Sequence, residues 1–318
     1  MTSREVARVG FGGQGRVMPR IAIPRELEQP FSVAQGKAAG LGAERMRGPD
    51  LARPHHGVRV AAGDRIETVA DRARHLVPVM MDGWYFSHVT ALALWGLPVP
   101  ARVERGQEPL HVSSSTGRSV RRNGVVGHRA APEPSGLVDG LPVAEPISAW
   151  VRSGQLLSLD ELVRIGDALA GSWSTLPEAR RRRLDELDRA ILEVGRARGI
   201  ASVREARALV RPGVESPKET ELRLLLTRAG LPEPEINVRT YDQDGRYLGK
   251  PDLRYAWCKL AVEYEGDEHR RDPGRFRRDI RRRERFADAG WRTVRCTDDD
   301  LHGRRADEVV ARVRRLLS

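Results

Sequence analysis

The stretch KPDLRYAWCKLAVEYEGDEH, residues 250–269, decides how the last third of the chain is read. Its apolar run CKLAVEY carries Glu263 and is followed at once by Glu265, and a Pro251–Asp252 pair stands just upstream. Side chains two apart on a strand share a face, so the two glutamates point the same way. A short turn before that strand sets Asp252 opposite Glu263. Carboxylates gathered away from water need a cation, a shared proton or an arginine, because an unpaired buried charge costs several kcal/mol.

Upstream, ESPKETELRLLLTRAGLP (215–232) reads as a helix with Ser216 as cap, Pro217 in its first turn and Gly230 at its end. Leu222, Leu225, Leu226 and Ala229 form its apolar stripe, and Glu219 points along that inward face. INVRTYD, a turn at QDGR, YLGKPDLRY and KLAVEYEG then predict a three-strand meander. A crossover helix over about 272–289, a fourth strand at WRTVRCT and a last helix over about 304–317 complete an α-β-β-β-α-β-α order. With the first helix packed on the strand face, Glu219, Asp252 and Glu263 converge as oxygen ligands suited to Mg²⁺ or Mn²⁺. Such an ion activates water and neutralises charge on a scissile phosphate.

Pro251–Asp252, then Glu263–Tyr264–Glu265, resembles the signature of the PD-(D/E)xK, or restriction-endonuclease-like, superfamily. More closely, PDLRY…LAVEYEGDEH…FRRDIRRRERFADAGWRTVRCT is similar to bacterial domains related to very-short-patch-repair endonuclease. The resemblance covers about residues 215–317. It implies Asp252 and Glu263 as metal ligands, Glu219 as the outer ligand, and Glu265 and His269 as further catalytic residues. Glu265 stands where the superfamily has lysine, so the resemblance assigns it the part of a general base or an added ligand. Asp279, Arg282 and Arg295 are implied supports, the arginines for phosphate. Arg278 lies in the same arginine-rich helix and is grouped with them as a DNA contact.

Residues 25–62 read as three short helices, RELEQPF, SVAQGKAAG and LGAERMRG, followed by a basic hairpin at LARPHHGVRV. That order predicts a winged helix-turn-helix whose Arg45, Arg47, Arg53, His56 and Arg59 meet DNA. With SHVTALALWGLP downstream, this part resembles winged-helix antitoxins of the AbiEi family. Residues 66–173 read as a mixed α/β middle domain. Within it PLHVSSS and VVGHRA are expected to pair as a hairpin around RRNG, and Trp84, Trp95 and Trp150 to lie in the core. His88, His111 and His128 have no ligand spacing in sequence. Residues 174–213 form a helical connector, one face of which packs through Leu184, Leu187, Ile191 and Val194. Residues 1–20 read as a disordered leader: Gly10, Gly12 and Gly15 have the GxGxxG spacing without the strand and helix that a nucleotide loop needs.

The net charge of +11 favours a polyanionic partner. Residues 214–318 hold 24 basic and 21 acidic side chains, so most of the excess lies upstream, as suits a DNA-gripping part tethered to a cutting part. No apolar run reaches the roughly 20 residues of a membrane span. Cys258 and Cys296 form no spaced framework, so a reducing cytoplasm is expected and a structural zinc site is not. The chain thus reads as an α+β multidomain protein: a winged helix-turn-helix over 21–65, the middle domain, the connector, and a nuclease domain over 214–318. The function expected is Mg²⁺- or Mn²⁺-dependent hydrolysis of DNA in repair or defence. The alternative is a DNA-binding regulator or antitoxin with a non-catalytic nuclease-like domain and a toxin or other defence protein as partner.

Overall fold

The computed structural model describes residues 22–27, 30–117, 120–129, 135–174, 176–266 and 273–318, the last with side chains from Ile280 onward. The expected leader lies outside the described residues. The chain divides into two units, Met1–Asp64 and Arg65–Ser318, both mixed α and β.

In the smaller unit β1 (Phe31–Ser32) leads into α1 (Val33–Ala38), and β2 (Leu51–Ala52) and β3 (Val58–Ala61) complete an antiparallel sheet in the order β1-β3-β2. Ser32 Oγ accepts from the Gln35 amide at 3.1 Å while Gln35 Oε1 accepts from the Ser32 amide at 2.7 Å, a reciprocal cap. Leu27, Phe31, Leu41, Met46 and Leu51 form the core. Where the sequence reads as three helices, the described residues of the unit hold one α-helix and two 3-10 turns, Arg25–Leu27 and Arg45–Arg47. Gly42 and Gly48 leave too few residues between them to offset the cost of nucleating an α-helix.

The larger unit begins with α2 (Val69–Leu76), β4 (Trp84–Phe86), α3 (His88–Leu94), α4 (Ala101–Glu104), β5 (Leu110–Ser114) and β6 (Val125–Arg129). There follow β7 (Ser135–Val138), β8 (Leu141–Ala144), α5 (Pro146–Arg152), α6 (Leu159–Ala170), α7 (Leu184–Val194) and α8 (Ile200–Leu209). The sheet order is β6-β5-β4-β8-β7. Here the expected hairpin is corrected, because β5 and β6 pair in parallel. The chain turns away after β5, where the Ser115 amide donates to Gly83 O at 2.9 Å, and returns to the starting end, where the Leu110 amide donates to Gly124 O at 2.9 Å. In place of a hairpin the RRNG stretch contributes an isolated Arg122–Val125 bridge. Trp84, Trp95 and Trp150 are buried in one core, to which Leu187 and Ile191 of α7 and Val203 and Ala206 of α8 also belong.

The C-terminal part holds α9 (Pro217–Arg228), β9 (Glu235–Ile236), β10 (Thr240–Tyr241), β11 (Tyr247–Gly249), β12 (Leu253–Tyr255), β13 (Leu260–Tyr264), α10 (Pro273–Asp288), β14 (Arg292–Cys296) and α11 (Gly303–Leu317). Its four-stranded sheet runs β14-β13-β12-β9, with β13 and β14 parallel across the α10 crossover. The expected meander is interrupted, since β10 and β11 form a separate two-stranded ribbon.

α9 is buried on two sides. Leu222 and Leu226 enter the core of the C-terminal sheet, whereas Leu224 joins the core of the preceding part. On that second side Arg223 and Asp167 of α6 form an ion pair at 2.9 Å, 1% and 0% exposed. Asp167 also accepts from Thr220 Oγ1 at 2.8 Å and from the Arg211 amide at 2.7 Å, and Arg223 Nη2 donates to Leu209 O at 2.9 Å. Removing one member strands a buried charge. Arg223→Met is therefore expected to lower unfolding stability by about 3–5 kcal/mol in urea denaturation. Asp167→Leu combined with Arg223→Met recovers a large part of that loss, because both charges are gone.

Candidate functional site

The pairing of Leu253 with Val262 brings Asp252 beside Glu263 and Tyr264, and Asp252 Oδ2 accepts from the Tyr264 amide at 2.7 Å. Glu219 comes from the first turn of α9, where Ser216 Oγ accepts from its amide at 3.2 Å and Pro217 fills a position whose N–H has no helical partner. Glu219 Oε2 accepts from Asn237 Nδ2 at 2.6 Å and from the Glu215 amide at 2.8 Å. The Asn237 amide in turn donates to the Asp252 carbonyl at 2.9 Å. Asn237 has φ 50°, a left-handed conformation that asparagine adopts more readily than most residues. It ties two of the acids together and is absent from the residues expected at the site; the signal that the sequence offers for it is an asparagine, a residue disfavoured in strands, inside the stretch read as the first strand.

Burial and like charge work in one direction here. The Asp252 carboxyl is pushed up to about 7, by burial first and then by the Glu219 charge, with Glu263 adding; the Tyr264 amide and Arg282 oppose this. Burial also raises Glu219 against the hydrogen bonds from Glu215 and Asn237, and raises Glu263 against Arg282 and Arg295. Two expected phosphate contacts are paired with acids: Arg282 Nη2 meets Glu263 at 2.8 Å, and Arg295 Nε meets Glu265 at 3.0 Å. Glu265 also receives Arg283 at 2.9 Å. His269 and the side chains of Arg278 and Asp279 lie outside the described residues.

In the smaller unit Arg45 forks onto Asp50 at 3.1 and 2.8 Å, and Arg59 donates to the carbonyls of Met46 and Val58 at 2.6 and 2.8 Å. Arg47, Arg53 and His56 are exposed. Burial, then the nearby Arg53 and Arg47 charges, hold Arg59 below its ordinary value, so these three arginines share one cationic neighbourhood.

Among the described residues, two groups already bring ligand atoms within 4.8 Å of one another, and the carboxylate trio is not one of them. Glu221, Asp298 and His302 form the first; Lys218 Nζ sits between its acids, at 2.8 Å from Glu221 and 2.5 Å from Asp298. The second is His88, His111 and His128, which sequence spacing left unconnected. The parallel β5–β6 register brings His111 and His128 together, and the end of β4 brings in His88.

The raised Asp252 value fixes a pH dependence. From its ordinary 3.8 to about 7 the folded state holds a proton that the unfolded chain has lost, so stability falls as pH rises through that window. Glu219 and Glu263, shifted the same way, add to the fall. In EDTA, Asp252→Asn is expected to melt higher than the parent at about pH 8 and to flatten the slope between about pH 4 and 7. Thermal melts across pH check this, and an unchanged slope would remove Asp252 as the titrating group.

No family model and no solved structure matches the chain. Uncharacterized proteins from two strains of Mycobacterium tuberculosis are each 31% identical to it over 132 residues, 42% of this chain and 48% of theirs. The chain thus spans about half the length of the curated relatives it matches.

Proposed function

We propose that the chain is a divalent-metal-dependent DNA endonuclease, with residues 214–318 as a restriction-endonuclease-like catalytic domain and the N-terminal unit as a winged-helix DNA grip. The observation that carries this reading is Asp252, whose ionised form is opposed by burial and by the charges of Glu219 and Glu263. A set of hard oxygen donors in that condition gains from a dication, and its donor chemistry fits Mg²⁺ or Mn²⁺. Glu219, Asp252 and Glu263 would hold the ion. An ion held there supplies Lewis-acid stabilisation of the charge that develops at a scissile phosphodiester.

The chain's own residues do the positioning. Asn237 orients Glu219 and the backbone at Asp252. Arg282 lies against Glu263 and is placed to exchange that contact for a phosphate oxygen, a bidentate partner of the same geometry. Glu265 fixes Arg295 and Arg283 at the rim, a positioning part in place of the general base that its sequence position suggests. Arg47, Arg53 and Arg59 supply upstream cationic charge for a DNA backbone.

A specific observation favours a second reading. Glu263 and Glu265 already pair with arginines, and no lysine stands at position 265. This suits a DNA-binding regulator or antitoxin whose nuclease-like domain does not cut, with a toxin as its protein partner.

Nicking of supercoiled plasmid with Mg²⁺, Mn²⁺ or EDTA separates the two. Metal-dependent nicking is expected, and Asp252→Ala should lower its rate by roughly 10²-fold or more while DNA binding persists. Binding unaffected by metal, with no nicking by either protein, selects the second reading. Replacing Arg47 and Arg53 together by alanine is expected to weaken binding uniformly across sequences. It should also reduce the salt slope by about 1 for each phosphate no longer neutralised, as fluorescence anisotropy at several salt concentrations would report.

A further inference from the structure

The three histidines of the middle part converge because of how its strands pair. β5 places His111 and Ser113 on one face, and the parallel register sets His128 of β6 beside Ser113. β4 runs antiparallel to β5, and the Ser87 amide at its end donates to His111 O at 3.0 Å, which delivers His88 to the same place. His88 and His111 are buried, 7% and 4% exposed. His111 Nδ1 and His128 Nε2 stand 2.9 Å apart, and the His88 ring lies over that of His128 with centroids 3.7 Å apart.

We infer that His88, His111 and His128 form a binding site for a transition-metal dication, Zn²⁺ by the chemistry of three imidazoles. Two nitrogens bound to one tetrahedral Zn²⁺ at about 2.0–2.1 Å lie about 3.3 Å apart, close to the present His111–His128 separation. Binding replaces that hydrogen bond by two metal–nitrogen bonds. The proton now between the rings moves to the far nitrogen of the ring that donates it, so no net proton is lost. The His88 ring must also turn out of its stack to aim Nε2 at the ion.

Its support is already in place. His88 Nδ1 is 2.9 Å from Ser87 Oγ, and Ser87 Oγ accepts from Ser113 Oγ at 2.8 Å. With Nδ1–H donating to Ser87, the Nε2 lone pair is free, and an outer hydrogen bond of this kind orients metal-binding imidazoles. Ser87 stands at the cap position of α3 and yet makes no side-chain cap there. His88 has φ 51°, a conformation that costs energy and gathers at functional sites.

Neutral rings are also what a metal needs. Burial, then the other imidazoles, hold His88 down to about 2, and burial with His128 holds His111 down to about 4. Burial and Arg152 lower His128.

The test uses the full chain, stripped with chelator and dialysed against Zn²⁺. One equivalent of zinc by mass spectrometry and a rise in Tm are expected. His111→Gln and His128→Asn should lose the zinc, while Asp252→Asn keeps it. Co²⁺ in the parent protein should give the visible bands of a nitrogen-ligated, four- or five-coordinate ion, discharged by one equivalent of Zn²⁺. That spectrum serves even where a histidine variant fails to fold. Absence of bound zinc, equal retention by folded histidine variants, or a thiolate-to-cobalt band that moves the ion to Cys258 or Cys296 would each overturn the assignment.

Discussion

An arginine cannot be buried without a counter-charge, and for Arg223 that requirement fixes how the C-terminal part meets the rest of its unit. Asp167 answers it from α6, with Thr220 and the Arg211 amide filling the remaining acceptor sites of its carboxylate. Arg164–Glu221 and Arg228–Asp160 flank the pair. Being partly exposed, they contribute little energy individually, but they define register along the helix. Because α9 is pinned at Arg223, Glu219 one turn before it is pinned as well. The candidate site inherits its precision from a contact outside it.

Asp167 and Asp252 are both acids in low-dielectric surroundings, but Asp167 has an arginine of its own. The guanidinium that acts on Asp252, Arg282, is engaged by Glu263, and the remaining help is one backbone amide. Burial pushes both carboxyls up, but at Asp167 every neighbouring group opposes the rise, whereas at Asp252 the Glu219 and Glu263 charges add to it. Perturbed carboxylates of the second kind mark functional sites more often than structural ones.

Much of this was legible in the sequence, and unevenly so. The capped helix at Ser216, the tryptophan core and the alternation of helix and strand after residue 214 follow from local rules that act over a few residues. That Asp252 lies beside Glu263 could be read because proline, turn and strand fix that relation within short range, whereas Glu219 is brought near by a separate helix and by Asn237. What escaped depends on pairing between distant segments. Thr220 and Arg223 look like ordinary solvent-facing positions until α6 covers them. RRNG has the residues of a tight hairpin, but the returning chain enters the sheet from the same end as β5, so it never closes one. The histidines are likewise brought together by strand register, a property of partners that no single stretch encodes.

The two-sided burial of α9 also bears on how such chains can be rearranged over evolution. A helix with apolar residues on opposite flanks, Leu222 and Leu226 on one and Leu224 on the other, keeps only a narrow strip, with Lys218 and Arg228, to offer water. The last hundred residues are therefore not a cassette that can be spliced onto an arbitrary neighbour. A recipient must supply a groove with an acid in the place of Asp167, or the transplanted helix must first lose its arginine. Lineages that carry this helix are bound to keep both halves together, and substitutions in α6 and α9 are bound to change in step.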